Sequence, residues 1–273
     1  MSGTLCAVVL AAGYGQRLRP LTLQRPKALC PVGNVPLLGR MLDRLAALGL
    51  RGPAQVAVNA SWLADQVVAY VGDRATTSVE GDPPLGTAGA LVRLRDWVDG
   101  RDVLVANADA YLVGDVAPLL ADWDRDHVRL LGVPAPPGTV DAFSGYRFAG
   151  LSLLPWRWLR RLRPGAAELV REVWRPAEAA GELRVVPFDG YFRDTGTPAD
   201  YLAANLHAAG GGNLVAAGAT VTGTCRQAVV GAGAVVHGSL TRAVVWPGAR
   251  VDRSEHLVDA VRALHGVTVT VGR

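Results

Sequence analysis

The sequence predicts an α/β protein with a doubly wound sheet and a short left-handed β-helix at its C-terminal end. Through the first half of the chain, continuous apolar runs typical of buried strands alternate with segments of helical spacing. Polar residues gather where the apolar runs end, which is where ligands bind in such sheets. After the glycine tract 210–212, valine and small residues recur about every six positions, a rhythm that predicts a β-helix.

The alternation begins with LCAVVLAAG, which predicts a strand ending at Gly13. In chain order there follow a helix over 36–48, a strand over 54–60, a helix over 60–73, a strand over 76–79, a glycine-rich turn and helix over 85–98, and a strand over 102–109. Right-handed crossovers would bring the carboxyl ends of the strands to one edge of the sheet. We expect Gly13–Arg19, 85–89 and 107–109 to lie at this edge.

The second half of the chain continues this pattern less regularly. It predicts a Pro/Gly-rich loop over 134–147, a strand over 145–155, a helix over 166–180 that Pro176 bends or ends, and a strand, turn and helix within 183–206. Thr197 followed by Pro198 is typical of a helix N-cap and first helical position. The glycine tract then separates a first domain, 1–209, from a β-helix domain, 210–273.

Composition restricts the partners and the compartment. The formal charge is +4 over 273 residues, and no arginine run alternates with aromatic residues, so we expect no nucleic-acid partner. The apolar run Leu5–Ala12 is too short to span a membrane. Cys6, Cys30 and Cys225 are widely spaced and odd in number, which is typical of free thiols in a reduced cytoplasm. Because the edge of a short solenoid must be capped or paired, we expect a homo-oligomer formed through the β-helix.

One lysine stands out. Of 28 basic residues only Lys27 is a lysine, although the richness in alanine, glycine and arginine indicates a G+C-rich bacterial genome that favours arginine. The loop around Gly13 and Gly15 lacks the third glycine of a dinucleotide-binding fingerprint and the Gly-Lys-Ser/Thr of a P-loop. Its glycines nevertheless let the backbone approach a triphosphate. Arg17 can bind phosphate oxygens as a bidentate fork and Lys27 as a point charge.

These residues resemble a known signature. Gly13-x-Gly15-x-Arg17-Leu-x-Pro-Leu-Thr, followed by Pro26-Lys27, is similar to that of the sugar-1-phosphate nucleotidyltransferases, which join a nucleoside triphosphate to a sugar 1-phosphate and release pyrophosphate. Further segments resemble the family in the same order: Leu85–Gly89 its base-contacting turn, Asn107-Ala-Asp109 its Asn-Gly-Asp, Phe148-Ala-Gly150 a sugar-site segment, and Asp194-Thr-Gly-Thr-Pro-x-Asp-Tyr201 the segment with its second metal-binding aspartate. The fold implied is a Rossmann-like mixed sheet, often followed by a β-helix.

The resemblance also implies roles for individual residues. It implies nucleotide binding by Leu10, Ala12, Gly13, Gly15, Arg17, Lys27 and Gly89. It implies Mg²⁺ as cofactor, with Asp109 and Asp194 as its ligands, and catalysis by Arg17, Lys27, Asp109 and Asp194. The family's Glu-Lys-Pro, whose lysine meets the sugar phosphate, is missing. Gly150 with Arg147 or Arg193 would then form the sugar-phosphate site.

The substrates stay open. Leu85–Gly89 and the β-helix look like mannose-1-phosphate guanylyltransferases, and GTP with a mannose- or heptose-type 1-phosphate is the first expectation. Phe148 and the phrase Asn59-Ala-Ser-Trp62 look like muramic acid 1-phosphate uridylyltransferases. A UTP- or dTTP-dependent enzyme, a cyclitol 1-phosphate acceptor or a non-catalytic NDP-sugar-binding subunit are alternatives.

Two other features have competing interpretations. His237 could be the base of a hexapeptide acyltransferase, but the few coils argue against that class of enzyme. The side chains of Trp156, Trp158 and Trp174 could stack on a sugar, yet packing in the core or contact with another subunit is the preferred interpretation.

Overall fold

The structure, a computed structural model, describes residues 5–272. The contacts divide the chain into two compact units. The first contains the described residues of Met1–Tyr14 together with Met41–Phe192, and the second contains Gly15–Arg40 together with the described residues of Arg193–Arg273. The boundary at residues 209 and 210 stays a prediction.

Strands and helices are numbered in chain order. The strands are β1 (Leu5–Leu10), β2 (Pro31–Val32), β3 (Val35–Pro36), β4 (Val56–Ala60), β5 (Thr76–Val79), β6 (Asp102–Asn107), β7 (Ala110–Val113), β8 (Val128–Pro134), β9 (Tyr146–Leu154), β10 (Leu183–Pro187), β11 (Tyr191–Asp194), β12 (Leu214–Val215), β13 (Thr220–Val221), β14 (Thr224–Val230), β15 (Val235–Val236), β16 (Ser239–Val245), β17 (Arg250–Val251), β18 (His256–Arg262) and β19 (Thr268–Thr270). The α-helices are α1 (Leu21–Gln24), α2 (Leu37–Ala47), α3 (Ala64–Val71), α4 (Gly86–Arg93), α5 (Arg95–Val98), α6 (Trp156–Leu159), α7 (Arg175–Ala179) and α8 (Pro198–Ala208). Short 3₁₀ helices cover Gln16–Leu18, Lys27–Leu29, Gly72–Arg74, Ala117–Leu119 and Leu264–Gly266, and a π-helix covers Val170–Trp174.

A seven-stranded mixed sheet forms the first unit, as predicted. Its spatial order is β10-β8-β9-β6-β1-β4-β5, and β9 alone runs antiparallel to its neighbours β6 and β8. The central strand β1 is apolar along its length because both of its faces are covered. Helices and aromatic side chains pack on it in one buried cluster that includes Val8, Leu91, Val105, Trp158 and Trp174. The core interpretation of the tryptophans is therefore confirmed, since Trp156 also packs against this cluster.

Two parts of the first unit differ from the pattern in the sequence. The residues between 110 and 133 indicate no regular element, whereas the structure has β7 and β8 there. Arg129 interrupts the apolar run of β8 because its guanidinium reaches back to the carbonyl of Asp122, 2.6 Å away. The predicted helix over 166–180 contains the π-helix Val170–Trp174, which continues directly into α7, so the chain stays helical through Pro176 and the helix does not end there.

The C-terminal part of the second unit is a parallel β-helix. One sheet has the order β12-β14-β16-β18-β19 and the other β13-β15-β17. Leu214 pairs with Val229, Val229 with Val244, and Val244 with Val261, so successive coils are offset by 15, 15 and 17 residues. The antiparallel β19 covers the free edge of β18. The predicted solenoid is thus present, with coils shorter than three full hexapeptides.

The three cysteines form no disulfide bonds in the structure. All three cysteines are free; Cys6 and Cys30 are buried and Cys225 is half-buried. Burial raises the pKa of Cys6 to about 11 and that of Cys30 to about 12, so both stay protonated thiols.

Within residues 5–272, no helix has the length and apolar character needed to cross a bilayer.

Candidate functional site

A cavity of about 710 Å³ opens at the carboxyl ends of the parallel strands in the first unit. Asn59, Leu10 and Asn107 form one row across β4, β1 and β6 at this edge, and all three line the cavity. The complete lining is Leu10, Ala12, Gly13, Tyr14, Asn59, Pro83, Pro84, Leu85, Gly86, Thr87, Asn107, Asp109, Ala166, Ala167, Glu168 and Arg171. The structure thus brings together four of the predicted site residues: Leu10, Ala12, Gly13 and Asp109.

A buried polar network shapes one wall of this cavity. Asn59 accepts a hydrogen bond from the backbone N–H of Ala11 at 2.7 Å and donates one to Glu80 Oε1 at 2.7 Å. The other carboxylate oxygen of Glu80 accepts the N–H of Leu85 at 2.8 Å. Both side chains are buried, and the network joins the strand end before Gly13 to the turn at Leu85. The sequence showed Glu80 only as an acidic residue after a short strand.

The Leu85–Gly89 turn is clamped to the segment Ala166–Leu169. Ala167 donates its N–H to the carbonyl of Leu85, and its carbonyl accepts from Ala88, each at 2.9 Å. The hydroxyl of Thr87 donates to Glu168 at 2.7 Å and accepts the N–H of Leu169 at 2.7 Å. These hydrogen bonds join two segments of the cavity lining.

Gly89 belongs to the packing of this clamp rather than to the cavity lining. A Cβ at Gly89 would lie 2.7 Å from the carbonyl oxygen of Gly165. Only glycine permits that approach of the two backbones. The nucleotide-binding role of Gly89 stays a prediction.

The predicted sugar-site residues on β9 lie in different surroundings. Gly150 has φ +86°, and a Cβ there would meet the Cβ of Ala110 at 2.4 Å, so its backbone packs against the turn that carries Asp109. Arg147 is exposed, pairs through its strand with Val133, and is not among the cavity-lining residues. Gly150 is therefore packed beside the turn that carries Asp109, whereas Arg147 is exposed and lies outside the cavity lining.

Arg171 is the one basic residue among those that line the cavity, where the acidic residues are Asp109 and Glu168. It lies in the π-helix Val170–Trp174, a distortion that frequently marks functional sites. Its Nε donates to Glu172 at 2.9 Å, and 77% of its side chain is exposed. Sequence reasoning missed Arg171 because it matches no motif and sits in a segment of ordinary helical composition.

In the second unit, three predicted catalytic residues form a charged cluster. Lys27 Nζ lies 3.3 Å from Asp194 Oδ1, and Arg17 Nη2 lies 3.6 Å from Asp194 Oδ2. The side chain of Lys27 is 11% exposed, whereas those of Arg17 and Asp194 are 68% and 55% exposed. Ion pairs as exposed as Arg17–Asp194 contribute about 0–1 kcal/mol to stability. Folding stability therefore gives little reason to keep Arg17 beside Asp194, whereas a site for a charged ligand would give one.

Gly15 sets the close packing beneath this cluster. It has φ +62°, and a Cβ there would lie 2.8 Å from Thr22 Cγ2 and 3.1 Å from Lys27 Cβ. The Thr22 hydroxyl donates to the carbonyl of Gly15 at 2.8 Å, which fixes the turn. The glycine is needed both for the left-handed backbone and for the contact with Lys27.

The segment after Asp194 forms the predicted helix start. Thr197 caps α8 by accepting the N–H of Asp200, with Pro198 in the first turn. Arg193 Nη1 lies 3.2 Å from Asp200 Oδ1, so its guanidinium is held toward α8. Asp194 lies directly before this rigid helix start.

The donor chemistry fits a hard cation. Within residues 5–272, no group of three or more His, Cys, Asp or Glu side chains could hold a metal ion. Mg²⁺ is commonly held by one or two carboxylates together with substrate phosphates and water, and such a set needs no larger protein cage. The carboxylates of Asp109 and Asp194 have this chemistry.

Comparison with known proteins identifies relatives of the chain. A family model described as Nucleotidyl transferase matches residues 6–136. A mannose-1-phosphate guanylyltransferase of Mycobacterium tuberculosis is 29% identical over 227 residues, which are 72% of this chain and 62% of the relative. A glucose-1-phosphate thymidylyltransferase of Streptomyces griseus is 28% identical over 232 residues, 73% of this chain and 64% of the relative. The chain thus spans less than two thirds of the length of these curated relatives.

A solved structure shares the fold. A Bacillus anthracis protein described as a glucose-1-phosphate thymidylyltransferase superposes with a TM-score of 0.66 at 20% identity. The match covers 75% of this chain and 95% of that chain. The likeness confirms the predicted α/β architecture.

Proposed function

We infer that this chain is a sugar-1-phosphate nucleotidyltransferase, which transfers a nucleotidyl group from a nucleoside triphosphate to a sugar 1-phosphate and releases pyrophosphate. The observation that carries the proposal is the cluster of Arg17, Lys27 and Asp194, in which the Asp194 carboxylate lies within 3.6 Å of a charged nitrogen of both Arg17 and Lys27. The activity, substrates and partners below are part of this proposal.

The reaction needs fixed charge rather than a base. The nucleophile is an oxygen of a phosphate monoester, which is mostly dianionic at neutral pH because its second pKa is about 6. The barrier comes from bringing negative charges together and from the charge that develops on the leaving pyrophosphate. Arg17 and Lys27 stabilise that charge, the first by bidentate hydrogen bonds and the second as a point charge.

Mg²⁺ supplies charge neutralisation on the phosphate oxygens when it is bound. Asp109 and Asp194 are its proposed ligands, as the resemblance implies. Asp194 also forms ion pairs with Lys27 and Arg17, and these pairs hold the two cations close to their proposed position.

The cavity of the first unit supports the binding of the nucleoside and the sugar. Leu85 and Gly86 of the clamped turn are the proposed contacts of the base. At Gly13, which lines the same cavity, a ligand can approach the backbone because no atom lies within 4 Å of the position that a Cβ would occupy. The sequence predicts that Arg147 or Arg193 is the basic residue that binds the sugar phosphate. The cavity favours Arg171 instead, because Arg171 lines the same cavity as Asp109.

The substrates belong to the finer part of the proposal. The relatives include both guanylyl- and thymidylyltransferases at nearly equal identity. GTP with a mannose- or heptose-type 1-phosphate is the first candidate, as the sequence predicts, and a UTP- or dTTP-dependent reaction is the alternative. A non-catalytic NDP-sugar-binding subunit would not need Arg17, Lys27, Asp109 and Asp194 together. The presence of all four favours the enzyme.

The test is pyrophosphate release by the purified chain with Mg²⁺, across a matrix of nucleoside triphosphates and sugar 1-phosphates. Release that requires one triphosphate and one sugar phosphate, and that falls strongly in Lys27→Gln, supports the proposal and identifies both substrates. No release in any combination, with thermal stabilisation by an NDP-sugar, would replace it by the regulatory subunit.

A further inference from the structure

The β-helix contributes one large buried side chain to the segment that carries Lys27. Trp246 follows β16 and is almost completely buried, as is Tyr201 of α8. Its indole N–H donates to the Tyr201 hydroxyl at 2.9 Å, and that hydroxyl donates in turn to the carbonyl of Pro31. Burial raises the pKa of Tyr201 well above its usual range, so the hydroxyl keeps the proton that it donates.

Trp246 also reaches the other side of Lys27. The guanidinium carbon of Arg25 lies 5.1 Å from the centroid of the Trp246 ring, a distance typical of a cation–π contact. Arg25 precedes Lys27 by two positions and Pro31 follows it by four. Trp246 therefore contacts the segment before Lys27 directly and the segment after it through Tyr201.

The residues between these two contacts form a rigid turn. Leu29 donates to the carbonyl of Pro26 at 2.8 Å, and Cys30 donates to the carbonyl of Lys27 at 3.0 Å. The Tyr201 N–H bonds the carbonyl of Thr197, the cap of α8, at 2.9 Å. Tyr201 thus connects the turn that carries Lys27 with the start of α8, whose cap Thr197 follows Asp194 by three positions.

We propose that Trp246 is a positioning residue, which holds Lys27 at Asp194 through Arg25 on one side and through Tyr201 and Pro31 on the other. Its significance for the reaction depends on the proposed function, because Lys27 is there a phosphate-binding cation. The β-helix would then serve the reaction within a single chain, apart from any role in oligomerisation. A displacement of about 1 Å in a catalytic group can cost about a hundredfold in rate, so small errors here have large effects.

The alternative is that Trp246 only fills the core, and the chain contains a matched control for it. Trp97 likewise donates its indole N–H in a hydrogen bond, in its case to the carbonyl of Pro53 at 3.1 Å, and the guanidinium carbon of Arg101 lies 4.7 Å from the centroid of its ring. It belongs to the first unit and to no described part of the cavity lining. Trp97→Phe therefore also removes a hydrogen bond donated by an indole N–H, at a position that is distant from Lys27 in the sequence.

The experiment compares Trp246→Phe, Trp246→Leu, Tyr201→Phe and Trp97→Phe in the full-length chain. The first readout does not depend on activity: Lys27 is the only lysine, so its rate of modification by an amine-selective reagent can be followed by mass spectrometry. We expect Lys27 modification to accelerate at least about fivefold in Tyr201→Phe and Trp246→Phe and more in Trp246→Leu, which loses the ring as well. Trp97→Phe should behave as wild type at matched thermal stability.

The second readout is the kinetics of pyrophosphate release. We expect kcat/KM for the triphosphate to fall about tenfold in Trp246→Phe, with KM for the sugar 1-phosphate unchanged. Wild-type labelling rates in Tyr201→Phe and Trp246→Phe would overturn the inference, as would equal acceleration in Trp97→Phe. If the wild type releases no pyrophosphate, the proposed function fails while the labelling result still decides whether Trp246 positions Lys27.

Discussion

At the scale of single residues, Lys27 shows how burial and charge combine at one position. Its stem is packed beside Gly15 while its ammonium lies against Asp194. A nearly buried ammonium is costly unless it is paired, and Lys27 lies 3.3 Å from the carboxylate of Asp194.

This packing predicts that charge alone will not replace Lys27. Lys27→Arg retains the charge but must place a larger planar head on a stem that is already in close contact. We expect both Lys27→Arg and Lys27→Gln to lower kcat about a hundredfold, the usual loss for one preorganised charge. Steady-state pyrophosphate release measures this, and Lys27→Arg at more than a third of the wild-type rate would contradict it.

Substitution by alanine should have different effects at Gly13 and at Gly15. A Cβ at Gly15 meets Thr22 and Lys27 and forces a left-handed backbone, so Gly15→Ala should cost about 1–2 kcal/mol of folding free energy and most of the activity. A Cβ at Gly13 meets no atom within 4 Å, and Gly13 lines the cavity, so a methyl group there can compete with a ligand for space. Gly13→Ala should raise KM for the triphosphate and leave the denaturation midpoint unchanged. Equal midpoints for the two variants would refute this distinction.

At the scale of elements, the Asn59–Glu80 network ties two strands to a turn. Asn59 lies on β4, Glu80 follows β5, and the second oxygen of Glu80 fixes the start of the Leu85 turn. Because Asn59 and Leu85 are both donors to Glu80, the network requires two acceptor oxygens.

Glu80→Gln should therefore destabilise the protein although it is nearly isosteric. Its amide NH₂ would face either the Asn59 amide or the Leu85 N–H, and a buried donor would lose its partner at about 1–3 kcal/mol. We expect a lower urea midpoint together with a higher KM for the triphosphate. The control is Glu178→Gln, since Glu178 pairs with Arg175 at a more exposed position; a similar loss in both variants would argue against the network.

At the scale of the whole molecule, the donor chemistry predicts a requirement for Mg²⁺. We expect EDTA to abolish pyrophosphate release and added Mg²⁺ to restore it. Asp194→Asn keeps the shape but removes a ligand charge, so it should raise the Mg²⁺ concentration needed for half-maximal rate. An unchanged Mg²⁺ dependence in Asp194→Asn would remove that residue from the proposed metal site.

The β-helix also bears on the assembly of the molecule. Its β18 edge is already covered by β19, so an oligomer is not needed to pair that edge. At the opposite end the described chain places no strand beyond β12 or β13, each two residues long. We still expect a mass of at least two chains of 28.7 kDa by light scattering. A single-chain mass would remove the oligomer from the proposal.

The predicted elements were most accurate where local pattern and burial agree. The apolar run of β1, the helix α2 and the Thr197 cap of α8 follow from neighbouring residues, and the structure confirms them. The strand β8 escaped prediction because Arg129 and Gly132 interrupt its apolar run. Gly132 is required there by the close approach of Val185 on β10, a neighbour more than fifty positions away.

By itself, the sequence predicted the fold class and the β-helix from periodicity, and it indicated the resemblance to the nucleotidyltransferases from short motifs. It also indicated Lys27, since one lysine among 28 basic residues is visible without a structure. Only the tertiary structure decided that Arg171 lines the cavity with Asp109, that Gly89 packs against Gly165, and that Trp246 contacts the segments on both sides of Lys27. These relations join residues far apart in the chain, and their distances depend on how the strands and coils pack.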